Sequence, residues 1–374
     1  MKGIDALELD RLLDDARALW RHASSSVGSQ QLELFAKRSA RRKATRGASG
    51  AATSIHDVLE SGLACRCFEP RCETAGFAAA GGLSKETALW IAGRARSFES
   101  TTTAARPDPS AFEPERADLD AEDETPTADW LASLMGGEPS IEWIEIGTTV
   151  EVLVGVEGWV ACRRRNRNWL ESHGQLWANR GFDARGRSIT EHPQATKEGA
   201  PDLLIEPSAA GALVEALARA LGSTGQPCSD ALVVDDVPDH ALGLAGGSFD
   251  DAGFPTSRQK VAANGNWVSR PLGPGNLWRR SFREPPTAST ANLVLSTRER
   301  AAAPVGAVVR TLNVIPLEAN VWVLDLGSAA TRIDPGDVAR SIVGTRGTPT
   351  ATAAGPIVPG LVLDSRLLAR KDLG

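Results

Sequence analysis

The second half of the chain consists largely of short strand-like stretches separated by glycine, proline and asparagine. Residues 203–205 and 231–234 are apolar runs of strand length, and the amphipathic stretch 208–221 between them predicts a helix. Asn264-Gly265 lies between two such runs and predicts a hairpin, because both residues tolerate the positive φ angles of a tight turn. We therefore expect this half to be β-rich with few helices.

The first part of the chain predicts a mixed α/β layer. Residues 63–68 alternate as a strand does, and Ser84 is a good N-cap for a helix that runs to about Phe98. Apolar residues at helical spacing also predict an opening helix: Ile4, Leu7, Leu12, Leu13, Ala16, Leu19 and Trp20. The expected class is α+β, an N-terminal mixed α/β domain followed by a β-rich C-terminal domain with few helices.

Changes in composition predict the domain boundaries. Residues 1–98 form the first part of the N-terminal domain, and residues 99–128 are rich in Thr, Pro, Asp and Glu, which indicates a flexible acidic linker. Alternating apolar residues predict that 129–200 is a strand-rich, abridged middle part of the N-terminal domain. Residues 201–374 are expected to form the C-terminal domain.

Charge and cysteine usage limit the partners and the compartment. The net charge of −6 argues against a general nucleic-acid binder, which is usually basic. There is no apolar run long enough to span a bilayer, and the N-terminus lacks a signal-peptide core. Five cysteines without a framework spacing indicate reduced thiols. We therefore expect a cytoplasmic protein that binds neither nucleic acid nor a membrane.

Common catalytic motifs are missing from the sequence. It contains no P-loop, no G-x-G-x-x-G after a strand, no H-E-x-x-H and no G-x-S-x-G. The five histidines are scattered, and no two share a metal-ligand spacing. They are His22, His56, His173, His192 and His240.

One group of thiols could carry chemistry. Cys65 and Cys67 would point to the same face of a strand, with Cys72 close by and His56 upstream, which would allow a zinc or redox site. No second cysteine pair completes a set of four ligands, so buried structural thiols are the favoured interpretation.

Aspartate pairs and an arginine run are further candidates. In a strand the two carboxylates of a sequential pair face opposite ways, so turn or surface roles are favoured over paired catalytic acids. The pairs are Asp235-Asp236 and Asp250-Asp251. For the arginines, a solvated hairpin is favoured over an anion site. They are Arg163, Arg164, Arg165 and Arg167.

Three blocks of sequence, taken in order, carry a family resemblance. Residues 60–96, ESGLACRCFEPRCETAGFAAAGGLSKETALWIAGRAR, combine a strand, a G-F-A turn and an L-S-x-E helix start. Residues 233–272 contain F-D-D-A-G-F-P, similar to F-D-D-E-G-x-P, and then an N-G hairpin. Residues 279–295, RRSFREPPTASTANLVL, lead into an N-L strand. Together they span most of the chain and resemble the TldD/PmbA (TldE) family of peptidase-related proteins.

The resemblance implies one of two kinds of member. TldD-type members resemble zinc peptidases and carry H-E-x-x-x-H on a helix, with a distant cysteine as a further ligand. TldE-type members lack these ligands and pair with a TldD-type subunit, and the pair is linked to trimming of unfolded peptides, including maturation of ribosomal peptide antibiotics. Laid over residues 212–222, ALVEALARALG, the helix pattern puts Val214 and Arg219 at the histidine positions and Glu215 at the general base.

These substitutions are incompatible with a catalytic zinc site. Such a site needs about three protein ligands and one open position. Valine has no lone pair, arginine stays protonated, and no cysteine follows Cys228. We therefore expect no catalytic residue and no metal in this chain, zinc in the partner subunit, and a surface pair between Glu215 and Arg219 across one helical turn.

Three functional hypotheses follow from the resemblance and the missing ligands. The first is a non-catalytic subunit that pairs with a TldD-like zinc metallopeptidase and binds unfolded peptide by strand addition. Its candidate contacts are the 258–270 hairpin and the 246–251 loop, although fold-defining turns are the favoured interpretation. The named loop residues are Gly247, Ser248, Phe249, Asp250 and Asp251. The second is a stand-alone peptide-binding or chaperone module. The third is a metal-free enzyme that uses Glu215, Arg219, Asp250 and Asp251.

Overall fold

The computed structural model defines two compact units, each assembled from separate stretches of the chain. It describes residues 6–27, 31–46, 53–69, 72–106, 132, 135, 141–172, 175–179, 202–222, 224–240, 243, 247–268, 273–279, 281–297, 305–309, 312–318, 321–325, 330–352, 356–364 and 366. Unit 1 comprises Met1–Asn168, Gly246–Ser257 and Leu272–Thr290, and unit 2 comprises Trp169–Ala245, Arg258–Pro271 and Ala291–Gly374. In the described residues, no helix is long and apolar enough to cross a membrane. The α+β class is confirmed.

Unit 1 is built on an antiparallel sheet with the strand order β6-β5-β1-β2-β3-β4. Its strands are β1 (Leu32–Arg46), β2 (Thr53–Cys67), β3 (Thr74–Gly81), β4 (Thr101–Thr103), β5 (Ile141–Val154) and β6 (Val160–Ser172), whose last residues belong to unit 2. Phe35 is opposite Ala64 on β2 and Leu153 on β5, which fixes the register of the three central strands. Strand β4 lies within the predicted linker, whose residues 107–128 are outside the described part of the chain.

Two helices cover one face of this sheet. They are α1 (Ala6–Val27) and α2 (Lys85–Arg96), and they pack with Leu34 and Ala36 of β1 in one apolar core. The Ser84 hydroxyl accepts the N–H of Thr87 at 3.1 Å, so the predicted N-cap is confirmed. The predicted opening helix is confirmed as well.

The opposite face of the sheet carries a second cluster. Because neighbouring residues of a strand point to opposite faces, Phe35 faces away from the helices. It packs there with Phe77, Leu153, Phe249 and Phe282, the last two supplied by the later segments of unit 1. In those segments β12 (Leu277–Trp278) pairs with β13 (Thr287–Ala288).

Unit 2 has a mixed sheet with the order β11-β10-β9-β14-β20-β19-β7, and β8 pairs with both β20 and β15. Its strands are β7 (Gln175–Asn179), β8 (Asp202–Ile205), β9 (Leu232–Asp236), β10 (Gln259–Ala263), β11 (Asn266–Trp267), β14 (Leu293–Thr297), β15 (Val305–Val309), β19 (Ile342–Thr352) and β20 (Ile357–Asp364). A smaller sheet contains β16 (Asn313–Glu318), β17 (Val321–Asp325) and β18 (Ala330–Ile333). The helices are α3 (Pro207–Leu221) and α4 (Pro335–Ser341). The predicted strand–helix–strand pattern from 203 to 234 is therefore confirmed.

Candidate functional site

Helix α3 occupies the stretch aligned with the zinc-peptidase helix. Pro207 is suited to its first turn, where an N–H would have no partner in the helix. The Gly222 N–H donates to the Ala218 carbonyl at 3.0 Å and closes its C-terminus. One face lies in the core of unit 2, in contact with the sheet: Ala209, Ala210, Leu213, Val214, Leu217 and Leu221.

The outer face of α3 carries the predicted ion pair. Arg219 Nη2 lies 2.6 Å from Glu215 Oε1, and the side chains are 68% and 38% exposed. Such a solvated i,i+4 pair contributes only about 0.3–0.5 kcal/mol. The pair between Glu215 and Arg219 is confirmed.

The three aligned positions on α3 do not form a common site. The Val214 side chain is 1% exposed and lies in the core, whereas Arg219 is on the surface. Valine offers no lone pair, and the guanidinium repels cations. The described residues also contain no group of three His, Cys, Asp or Glu side chains able to hold a metal ion. The side chains of this helix therefore do not fit zinc.

The F-D-D-A-G-F-P segment forms a tight loop in unit 1. The Asp250 N–H donates to the Phe254 carbonyl at 2.8 Å, and the Thr256 N–H donates to the Ser248 carbonyl at 3.0 Å. Gly253 has a φ of +88°, and an added Cβ would lie 2.3 Å from the Trp159 ring, so only glycine fits without strain.

The candidate loop residues differ in accessibility. Ser248 is exposed and Gly247 is half-buried, while Phe249, Asp250 and Asp251 are buried. Gly246 lies outside the described residues. Ser248 and Gly247 are thus the members of this set that a ligand in solvent could reach.

Four backbone amides bind the Asp250 carboxylate. Oδ1 accepts the N–H groups of Ala252 and Phe254, both at 2.9 Å. Oδ2 accepts those of Gly275 at 2.8 Å and Leu277 at 3.0 Å. Burial raises the pKa of Asp250, and the four N–H donors oppose that shift. The carboxylate ties its own turn to the 273–279 segment.

Asp251 and Glu151 bind Arg163 in the same layer. Arg163 Nε donates to Glu151 Oε2 at 2.5 Å, and its Nη2 donates to Asp251 Oδ1. The Arg163 Nη1 donates to the Phe249 carbonyl at 3.2 Å. Arg163 is only 3% exposed, so the solvated prediction for it is wrong. Two carboxylates supply the compensating charge that makes its burial tolerable.

The rest of the arginine run divides between half-buried and undescribed positions. Arg164 is half-buried, and the side chains of Arg165 and Arg167 lie outside the described residues. Sequence spacing did not reveal the role of Arg163, because Phe249 and Asp251 lie 86 and 88 residues away along the chain.

The second aspartate pair is also buried. Asp236 accepts the N–H groups of Ala291 and Asn292, each at 3.0 Å, and Asp235 accepts Arg258 Nη2 at 2.6 Å. Strand β9 lies between β10 and β14 inside the sheet. The predicted surface role is therefore wrong for both aspartate pairs. The predicted turn role is confirmed for Asp236 and Asp250, whose carboxylates accept backbone N–H groups of turns.

The thiols and His56 do not come together. Cys65 and Cys67 lie in the helix-covered core of unit 1, while Cys72 and His56 are exposed. Burial raises the pKa of the Cys65 thiol well above its usual value, which keeps it protonated and unreactive. The buried-thiol prediction is confirmed for Cys65 and Cys67 and is wrong for Cys72.

The predicted hairpin is formed by β10 and β11. Asn264 and Gly265 have φ angles of 52° and 73°, as a tight two-residue turn requires. The Trp267 N–H donates to the Gln226 carbonyl at 2.9 Å, and the Cys228 N–H donates to the Gly265 carbonyl at 2.8 Å. Residues 226–228 therefore already occupy the outer side of this hairpin.

Solved structures resemble this chain over nearly its whole length. TldE from Thermococcus kodakarensis matches with a TM-score of 0.70 and 14% identity, covering 94% of this chain and 98% of that chain. A protein of Bacteroides thetaiotaomicron, named as a candidate modulator of DNA gyrase, matches with a TM-score of 0.64 and 13% identity, covering 96% and 98%. A protein of Thermotoga maritima with a similar name matches with a TM-score of 0.59 and 14% identity, covering 94% of this chain and 98% of that chain. No family model and no curated protein matches the sequence.

At these identities the likeness establishes the fold. The chain has the fold of TldE and of these gyrase-modulator-like proteins from end to end. The resemblance to the TldD/PmbA family seen in the three sequence blocks is thereby confirmed at the level of the fold.

Proposed function

We propose that this protein is a non-catalytic TldE/PmbA-like subunit, which pairs in the cytoplasm with a TldD-like zinc metallopeptidase and helps it to bind and process unfolded peptides. The partner supplies the zinc and the activated water. This chain supplies part of the surface that holds the peptide. The proposed substrates include precursor peptides of natural products.

The observation that carries the proposal is the state of helix α3. Val214 lies in the core and Arg219 on the surface, so the side chains at the two histidine positions neither ligate a cation nor face a common point. Glu215 binds Arg219 at 2.6 Å and has no metal-bound water to deprotonate. Hydrolysis of peptides then has to come from another polypeptide with the same overall fold.

The loop at 247–251 supports a positioning role for this chain. The buried carboxylates of Asp250 and Asp251 hold the loop to the 273–279 segment and to Arg163. Ser248 and Gly247 remain accessible for the backbone of an extended peptide. A loop fixed in this way can contact substrate without conformational cost at the moment of binding.

Co-expression with a TldD-like protein that carries H-E-x-x-x-H tests the proposal. We expect the two chains to co-elute from affinity and size-exclusion columns and to cleave an unfolded peptide that neither chain cleaves alone. Separate elution under all salt conditions, or cleavage by this chain in isolation, would contradict it.

A glutamate exchange in each subunit separates the two roles. Glu215→Gln in this chain is expected to leave cleavage by the complex unchanged, because it removes only a surface ion pair. The matching change in the partner's H-E-x-x-x-H motif should abolish cleavage.

The stand-alone peptide-binding module gives a different outcome. It predicts a monomer or homodimer by mass photometry that binds unfolded peptide with the same affinity whether or not a TldD-like chain is added. The subunit hypothesis predicts a heteromeric species instead.

A further inference from the structure

Arg279 is half-buried and differs from the buried arginines Arg66 and Arg163 of unit 1. Arg66 binds Glu33 through two nitrogens, at 2.8 and 2.6 Å, and Arg163 binds both Glu151 and Asp251. The guanidinium of Arg279 has no carboxylate within salt-bridge distance in the described part of the chain.

The surroundings of Arg279 are aromatic. Its guanidinium carbon lies 4.9 Å from the centre of the Phe35 ring and 5.5 Å from that of Phe77. Nη1 donates to the Glu284 carbonyl at 3.1 Å, and the buried Nε has no acceptor. The rings stabilise the cation through their faces but cannot accept its in-plane N–H bonds.

Electrostatics make this position costly for a lone cation. Burial, followed by the nearby charge of Arg66, lowers the pKa of Arg279 to about 9, so it still carries its charge at neutral pH. Its backbone N–H binds Asp251 Oδ2 at 2.5 Å, which fixes the start of the side chain, but the Asp251 carboxylate is already paired with Arg163. Binding of an anion from solution would therefore stabilise the charged guanidinium of Arg279.

We propose that Arg279 binds the C-terminal carboxylate of an extended peptide. A carboxylate matches the planar N–H edge that remains on a guanidinium whose surroundings are phenyl rings. Phosphate is normally held by several cations or amides, and here the neighbouring guanidinium groups of Arg66 and Arg163 already bind Glu33, Glu151 and Asp251. Identifying the anion as a peptide terminus rests on the proposed function, whereas the need for an anion rests on Arg279 alone.

Fluorescence anisotropy of the full-length protein tests this inference. The probe is a short, unstructured peptide of uncharged residues with an uncharged N-terminal dye, prepared once with a free C-terminal carboxylate and once as the amide. We expect the free acid to bind about tenfold more tightly than the amide, as is typical of a charge-assisted hydrogen bond. Equal affinity of the two peptides, or binding of neither, would overturn the proposal.

Two variants locate the effect. Arg279→Gln should remove the preference for the free acid while leaving binding of the amide unchanged. Arg283→Gln is the matched control, because Arg283 also lies over a phenyl ring, that of Phe282 at 5.4 Å, but is exposed to water, and it should keep the preference. A preference that survives Arg279→Gln would sink the assignment.

Competition distinguishes the source of the anion. Acetate should displace the free-acid peptide at a lower concentration than inorganic phosphate, and the reverse order would reassign the position to phosphate. None of these measurements involves the TldD-like chain, so their failure is distinguishable from a failure of subunit pairing.

Discussion

Individual buried carboxylates organise the loops of both units. Asp250 and Asp236 each accept backbone N–H groups from segments far along the chain, and Asp251 compensates the charge of Arg163. These side chains act as anchors for irregular backbone, which otherwise would leave its amides without partners. The sequence marked them as candidates, yet their partners in other segments are 25 to 88 residues distant and could not be identified from spacing.

Asp250→Asn should destabilise the protein by about 3 kcal/mol. An amide NH₂ would face two of the four N–H groups and leave them without an acceptor, at about 1–3 kcal/mol each. The measurement is the urea unfolding free energy followed by tryptophan fluorescence. Asp239→Asn, at an exposed position, serves as the control and should change stability by less than about 0.5 kcal/mol. A loss below about 1 kcal/mol for Asp250→Asn would show that the carboxylate is dispensable.

The Arg42–Asp57 pair should make stability depend on acid pH. Arg42 Nε and Nη2 lie 2.7 and 2.9 Å from the Asp57 oxygens, and this hydrogen bonding lowers the pKa of Asp57. A lowered pKa in the folded state means that the stabilisation is present above the unfolded value of about 3.9 and is lost as the pH falls through the lower folded value. Asp57→Asn should therefore lower the urea midpoint at neutral pH and match the wild type near pH 2. A constant difference across this range would contradict the assignment.

Among the elements, local sequence patterns predicted the structure of several segments. Ser84 caps α2, Asn264-Gly265 forms its turn, and the apolar stripe of 208–221 becomes α3. Such features depend on neighbouring residues, which is why sequence alone identifies them. Contacts between segments that are distant in sequence were less predictable. An example is the outer side of the β10–β11 hairpin, which residues 226–228 occupy.

Restoring histidines on α3 should not restore a zinc site. In Val214→His/Arg219→His one imidazole would be buried in the core of unit 2 and the other exposed, so they would not share an ion. Elemental analysis after dialysis should find no stoichiometric zinc. Arg219→His alone should be near neutral in stability, whereas the Val214 change should cost about 2 kcal/mol, because it buries a polar ring. One tightly held zinc per chain would refute this description of the helix.

Gly253→Ala should destabilise the F-D-D-A-G-F-P loop by about 2 kcal/mol. The positive φ of Gly253 and the Trp159 ring both oppose a side chain at this position. Gly273→Ala is the matched control, since an added Cβ there meets no atom within 4 Å. Thermal unfolding should show a lower midpoint for Gly253→Ala and an unchanged midpoint for Gly273→Ala. Equal midpoints would mean that the loop adjusts without strain.

In the whole molecule, the chain folds into two units, and each unit is assembled from three separate stretches of the sequence. Unit 1 recruits residues 246–257 and 272–290, which supply Phe249, Phe282 and Arg279 to the layer over its sheet. The domain division predicted from the sequence used continuous segments, because composition along the chain carries no sign of which distant segments meet. The end-to-end likeness to TldE indicates that the arrangement belongs to the fold.

The isolated protein should fold and remain stable without metal. Elemental analysis of the purified chain should find no stoichiometric zinc, and a chelator should leave the thermal midpoint unchanged, because the core clusters of both units consist mainly of aliphatic and aromatic side chains, which do not ligate metals. The TldD-like chain of the proposed complex, treated identically, should lose its peptidase activity. One zinc per chain here, lost on mutation of Cys65 or Cys67, would contradict the buried-thiol assignment.

The α+β class, helices α1, α2 and α3 and several of the strands follow from the sequence alone. So does the chemistry of α3, because valine and arginine cannot ligate zinc in any fold. The sequence also carried the family resemblance, through ordered blocks whose turns and caps are local. The interior position of the aspartate pairs and of Arg163 became visible only in the folded structure, as did the lack of a carboxylate within salt-bridge distance of Arg279 among the described residues. Burial and ion pairing depend on which distant segments meet, and neighbouring residues along the chain do not specify that.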